Sequence, residues 1–304
     1  MPASQRTVAI IGLGLMGGSL AAALRGSGFA RRFIGFGHRE ASLRRGVELG
    51  IIDDFSLDLA QVVEQSDIVV ICTPTLVASQ MLEQILPLIE GCADAPVITD
   101  VASVKGSIHA TALRVAGEMP PGLVLGHPIA GSERSGVEAA DAQLFLNHRV
   151  ILTPVDGNDP QAVELVRAMW LATGAEVVDM DVDEHDAVLA ATSHLPHVLA
   201  YALVDALAQS EASADIFRFA AGGFRDFTRI ASSDPVMWRD IAIANKTALL
   251  RSVDDFAQHL QGLRTAIEAQ DGDALHAIFT RAKAARDTFA EQLAERNKQG
   301  DQPI

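Results

Sequence analysis

The chain predicts an α/β fold class: a doubly wound, mostly parallel sheet in its N-terminal part and an all-helical C-terminal part. Two observations carry this. As far as residue 181, short apolar runs alternate with amphipathic stretches, the pattern of successive βαβ units. From about residue 183 strand signals vanish, and Ala/Leu-rich stretches at 187–209, 237–269 and 273–295 read as helices. The chain therefore divides into domains 1–181 and 182–304.

Strands are predicted at 8–11, 33–36, 68–72, 97–99, 123–125, 150–152 and 176–178, with helices between them such as 19–28 and 77–89. The first strand runs into Gly12-Leu13-Gly14-Leu15-Met16-Gly17 and then into a helix. A bare GxGxxG is a weak signal; between an N-terminal strand and a helix it becomes a Rossmann-like dinucleotide fingerprint. Gly12 permits the tight turn, Gly14 lets backbone approach a pyrophosphate, and Gly17 lets helix pack on strand. Leu15 and Met16 open the helix whose N-terminus faces the phosphates. Thr73 and Pro74, after the 68–72 strand, are expected to line the dinucleotide as well. After the 33–36 strand stand Gly37, His38 and Arg39, where an acidic residue would hold the ribose of NAD. A missing carboxylate plus Arg39 suits a 2′-phosphate, so the cofactor reading is NAD+ or NADP+, leaning to NADP+; NAD through other contacts stays open.

Length and composition set limits on partners. At 304 residues the chain has room for two ordinary domains with substantial cores. A net charge of −15 argues against nucleic acid or an acidic membrane surface as partner. Two cysteines form no disulfide framework or metal site, and Cys72 reads as a core residue in a reducing compartment. The 8–24 segment superficially resembles a signal-peptide core, but its spaced glycines fit strand–turn–helix better. No other stretch reads as long enough to span a bilayer, and the expectation is a cytoplasmic enzyme. The tail 296–304 is polar and expected to fray.

The strongest chemical signal is His127, in GHPIAGSERSG directly after the 123–125 strand. It is expected in an irregular loop, since Pro128 removes a backbone donor. A neutral imidazole beside a cofactor cleft can accept a proton from a reacting hydroxyl near neutral pH. Ser103 follows the 97–99 strand and could orient that imidazole, cap the next helix, or do both. Ser193, His194 and His197 surround Pro196, which opens or kinks a long helix, and the two histidines share a face. No metal ligand set has suitable spacing around them. Arg225 and Arg229 stand four apart with Asp226 between them, a spacing suited to clamping a carboxylate, or to surface ion pairs.

GLGLMGGS, DVASVK, GHPIAGSERSG, SHLPH and GGFRDFTRIASSDPVMWRDI, in this order over nearly the whole chain, resemble the prephenate dehydrogenase family. That family includes the arogenate and cyclohexadienyl dehydrogenases of tyrosine biosynthesis. The resemblance implies a Rossmann domain plus a C-terminal all-helical dimerisation domain, a homodimer formed through the helical domain, and a small-molecule substrate, prephenate or arogenate. It implies that His127 contacts the substrate's ring hydroxyl with Ser103 in support, and that Arg229 holds a substrate carboxylate. His197, with Ser193 and His194, would surround the substrate, with Glu133 near the pocket mouth. Asp226 and Trp238 would lie close by, and Arg225 transfers by charge alone. The central expectation is spatial: the His127 imidazole and the Arg229 guanidinium meet beside the nicotinamide.

Two rival readings are weaker. β-Hydroxyacid dehydrogenases share the glycine motif but place a catalytic lysine before an asparagine, whereas Asn245-Lys246 runs in the opposite order. A non-catalytic dinucleotide sensor would not need His127, Ser103 and Arg229 together. After the last helix too few residues remain for an amino-acid-sensing domain, so any tyrosine inhibition is expected to be competitive.

Overall fold

The computed structural model describes residues 5–92, 94–131 and 134–300, with side chains through residue 295. Eight strands form one sheet: β1 Thr7–Ile11, β2 Arg32–Phe36, β3 Asp54–Phe55, β4 Ile68–Ile71, β5 Val97–Asp100, β6 Leu123–Pro128, β7 Arg149–Thr153 and β8 Glu176–Asp179. Their order is β3-β2-β1-β4-β5-β6-β7-β8, and all neighbours are parallel except β6 and β7. Each of the seven strands read from the sequence forms. The eighth, β3, is two residues long and too short to show periodicity.

Helices cover both faces, so successive strand residues are buried in alternate directions. Val8 and Ile10 join one apolar cluster with Leu20, Leu24, Phe33 and Trp170. Ala9 and Ile11 join another with Ile71, Leu82 and Ile85. Two-sided burial is why the strands read as unbroken apolar runs. The chain order reverses between β1 and β4, and a sheet of this kind presents ligands outside the carboxyl ends of strands at that point.

Some boundaries differ from the sequence reading. The first helix is Leu15–Gly26, beginning inside the glycine motif. The 187–209 stretch is three pieces: Val182–Leu189, a π-turn Ala190–His194, and Leu195–Ala208. The 237–269 stretch divides into Pro235–Ala244 and Lys246–Glu268, whereas 273–295 lies within Gly272–Gly300. Strand β6 continues through His127 to Pro128, which corrects the expected loop. The amide of Ile129 donates to the Arg149 carbonyl of β7 at 2.7 Å, so alternation turns the Pro128 nitrogen away from β7. On that other side pairing with β5 ends at Thr99–Val124, so no ladder donor is lost.

By packing, residues up to Leu249 form one compact unit and those from Leu250 another. The second unit is helical and leaves Phe256, Leu260, Ile267, Phe279 and Phe289 exposed. The 182–208 run is long and apolar enough, by length and composition, to cross a membrane, which corrects the sequence expectation that none was. It carries His185, Asp186 and His194, which are buried against the rest of the first unit.

Candidate active site

The carboxyl ends of β2, β1, β4, β5 and β6 line up along one edge of the sheet, and a predicted segment lies at each of the five. At β1, Gly12 adopts φ +99° and its amide donates to Phe36 O at 2.8 Å. A Cβ there would sit 2.8 Å from Thr73 Cγ2 and 2.9 Å from the Cys72 carbonyl. A Cβ on Gly17 would collide with the Gly12 carbonyl oxygen, so the helix meets the strand only because Gly17 has no side chain. Gly14 differs: a Cβ on it would meet nothing within 4 Å. The helix Leu15–Gly26 has no side-chain cap and no acidic residue in its first turn. Its first amides, those of Leu15 and Met16, are left to an anion, and the buried Thr73 Oγ1 has no partner among the described residues. Open backbone at Gly14, an uncapped helix start and an orphaned hydroxyl fit the pyrophosphate of a dinucleotide. Pro74 precedes helix Thr75–Ile89 beside this turn. At the end of β2, His38 and Arg39 are exposed, and the adjacent Glu40 is taken up by Arg44, 2.9 Å away.

At β6, His127 is buried and its Nδ1 lies 2.9 Å from Nε2 of His185. His185 Nδ1 lies in turn 2.8 Å from Asp186 Oδ1. The Asp186 carboxylate accepts the amides of Lys105 at 2.9 Å and Gly106 at 2.8 Å, the first two residues of helix Lys105–Ala116. A Cβ on Gly106 would stand 2.7 Å from Asp186 Oδ2, so glycine there admits the carboxylate. Fully buried Lys105 extends beneath this array and bonds the Asp100 carboxylate and the Gly126 carbonyl, tying β5 to β6. Ser103 is half-buried on the same turn. It is not the helix cap: Val104 holds that position without a side-chain bond, and Asp186 satisfies the helix start instead. Nor is it the Nδ1 partner of His127, which is His185.

Burial shapes the electrostatics. His127 is held well below the usual imidazole range, first by burial and then by the charges of His185, Lys105 and His194. Burial also lowers His185, and it lowers His194 to about 4. Asp186 is lowered although burial alone would raise it, because bonds from His185, Lys105 and Gly106 outweigh burial. Three imidazoles are thus neutral beside one ionised carboxylate.

The helical segments add the other wall. Pro196 has no N–H to continue an α-helical ladder, and the π-turn Ala190–His194 precedes it. This turn carries Ser193 and buried His194, whose Nδ1 is 3.1 Å from Asn245 Nδ2; the same amide donates to Asp186 O at 2.8 Å. His197 donates from Nδ1 to the Ser193 carbonyl at 2.9 Å and stacks on Trp238. Trp238 also meets His194 edge-on, so the expected shared face exists. His197 is lowered by burial and further by the positive charge of Arg229, which stands in the 3-10 turn Arg229–Ser232. His194 is thus an electrostatic neighbour of His127, His197 of His194, and Arg229 of His197, pair by pair. Arg225 and Asp226 pair with each other at 3.2 Å on an exposed surface. Glu133 lies outside the described residues.

Sequence reading missed His185 and Asp186, and weighed Asn245 only in the rival lysine–asparagine reading. The four consecutive polar residues Asp183-Glu184-His185-Asp186 in an otherwise apolar helix were the available signal. Asn245 is consumed by structural bonds, which removes it from any lysine–asparagine catalytic pair.

Comparison with known proteins agrees with this geometry. Residues 20–179 match the family described as prephenate dehydrogenase, nucleotide-binding domain, and residues 181–281 its dimerization domain. A prephenate dehydrogenase of Bacillus subtilis is 39% identical over 285 residues, covering 92% of this chain and 75% of the relative. A cyclohexadienyl dehydrogenase of Zymomonas mobilis is 36% identical over 282 residues, covering 92% and 94%. The crystal structure of A. aeolicus prephenate dehydrogenase in complex with hydroxyphenyl propionate and NAD+ superposes with a TM-score of 0.87 at 35% identity, covering 95% of this chain and all of that one. With both domain descriptions matched end to end and a nucleotide cradle and buried histidine on one sheet edge, the chain belongs to the prephenate dehydrogenase family.

Proposed function

We propose that this chain oxidatively decarboxylates prephenate to 4-hydroxyphenylpyruvate and CO2 in tyrosine biosynthesis. The observation that carries the reading is His127, buried and neutral at the end of β6 on the edge that holds the glycine cradle. Gly12, Gly14, Leu15, Met16, Gly17, Thr73 and Pro74 would hold the dinucleotide. When bound, the nicotinamide supplies the acceptor for the hydride leaving the ring carbon that bears the hydroxyl. His127 takes the hydroxyl proton as the carbonyl forms. Loss of the ring carboxylate as CO2 sends its electron pair through the ring to that oxygen, which takes the proton back as a phenol. The chain's task is alignment and charge: Ser103 supports the hydroxyl end, and Arg229 holds a carboxylate. His197, Ser193, His194 and Trp238 wall the ring, with Arg225 and Asp226 toward the entrance, and a part for Glu133 rests on the family resemblance alone.

The finer readings rest on particular residues. Arg39 at the end of β2, with Glu40 engaged by Arg44, favours NADP+ over NAD+. Arogenate carries an ammonium in place of a keto group, and Glu133 or Asp226 could receive it, so both substrates are candidates. The functional division at 181/182 is supported by the nearby break between the two matched family regions, 20–179 and 181–281. Exposed apolar side chains of the helical segments, together with the matched dimerization domain, support a homodimer. Free Cys72 and Cys92 suit a reducing cytoplasm.

The test is direct. Purified protein is incubated with prephenate or arogenate and either NAD+ or NADP+, and reduced cofactor is followed by absorbance alongside CO2 release. Matched formation of both supports the reading; no turnover with either substrate and either cofactor overturns it.

A further inference from the structure

His185 and Asp186 come from a helix that the reaction as proposed does not use, yet His185 bonds the proton acceptor directly and Asp186 bonds His185 in turn. Counting donors and acceptors settles which nitrogens carry protons. Asp186 accepts from two main-chain amides and is ionised, so His185 Nδ1 must donate to it. A neutral imidazole that donates from Nδ1 has a bare Nε2. Because His185 Nε2 is 2.9 Å from His127 Nδ1, that Nδ1 carries the proton and donates. His127 Nε2 is left bare.

We propose that His185 and Asp186 are positioning residues: they hold His127 in the tautomer whose Nε2 accepts the substrate proton, and they take up the charge that follows. As Nε2 gains the hydroxyl proton, the Nδ1 proton moves to His185 Nε2. His185 keeps its Nδ1 proton on Asp186, so the positive charge rests against a carboxylate rather than beside the nicotinamide. When the phenol forms, both protons return by the same route, and no net proton is consumed. Other charged or titratable groups face the pair. Lys105 and Asp100 lie beneath it and form a fully buried ion pair, and His194 packs from the π-turn. Neither Lys105 nor His194 can replace Asp186, since one is a cation and the other a neutral ring.

The inference rests on the dehydrogenase reading, and two measurements separate their failures. Histidine 15N chemical shifts of the unaltered full-length protein near pH 7.5 report tautomers without turnover. Protonated Nδ1 and bare Nε2 on both His127 and His185 support the proposal; a protonated Nε2 on His127 overturns it. The second is steady-state kinetics of His185→Leu and His185→Gln with prephenate. Leucine removes the acceptor, and kcat should fall about 100-fold with KM changed less than about threefold. Glutamine restores an acceptor but takes no proton, and should recover about tenfold of the loss. In Asp186→Asn, losing the anion weakens the base, so the acidic limb of kcat/KM should move to lower pH while kcat falls. Equal kcat in the leucine and glutamine variants, at any level, overturns the proposal. Absence of turnover by the unaltered protein sinks the dehydrogenase reading and leaves the tautomer result standing.

Discussion

The imidazole of His197 lies flat on the indole of Trp238, with ring centroids 3.5 Å apart and planes 18° from parallel. Trp238 belongs to helix Pro235–Ala244 and His197 to helix Leu195–Ala208, so one stack joins two helices at the same point where Arg229 exerts its charge. A guanidinium beside a neutral aromatic wall is placed to bind a carboxylate. Arg229→Ala should raise KM for prephenate about 10–100-fold, the worth of one charge-assisted hydrogen bond, with kcat changed far less. Steady-state kinetics checks this; an unchanged KM removes Arg229 from substrate binding.

His127→Asn should show the complementary pattern. Asparagine keeps a hydrogen-bonding side chain of similar reach but cannot accept the proton, so kcat should drop about 10²–10⁴-fold at nearly constant KM. Full kcat between pH 6 and 8 contradicts the assigned role.

Cofactor choice turns on Arg39. If its guanidinium meets a 2′-phosphate, Arg39→Ala should lower kcat/KM for NADP+ by about tenfold or more and leave that for NAD+ within about twofold. Unaltered protein with a strong preference for NAD+ contradicts the argument before any substitution is made.

The neutral histidines make the fold acid-sensitive. His127, His185 and His194 have folded values below 6.5, so below that pH the unfolded chain binds more protons than the folded one. Stability therefore falls as pH falls, for His194 across the window from 6.5 to about 4, a loss of about 3 kcal/mol from that group. Asp186, lowered in the fold, adds a further loss below the ordinary carboxylate range. Melting temperature should decline steadily from pH 7 to 4, and less steeply in His194→Gln. A flat profile over that range counts against the buried neutral array.

Local patterns made much of the fold legible. Seven strands showed as apolar runs because both faces of the sheet are covered, and the glycine turn showed because its steric demands fall on neighbouring residues. Features made by distant pairing did not show. The extension of β6 through His127 depends on antiparallel pairing with β7, and β3 exists only through its partner β2. His185 meets His127 across 58 positions, and Asp186 meets Lys105 across 81. Serine's intrinsic preference for helix starts pointed to Ser103 as a cap, but a tertiary carboxylate won that place.

The wide turn Ala190–His194 also sets how the helix tolerates change. Each residue of an α-helix advances the chain by about 100° around its axis. Winding the same residues into an unbroken α-helix would be a gain in regularity. It would also swing the two sides of the turn about 100° relative to each other, so that His185 and His197 could no longer keep His127 and Trp238 as neighbours at once. The irregular turn is thus what permits a single helical rod to serve two separate contacts.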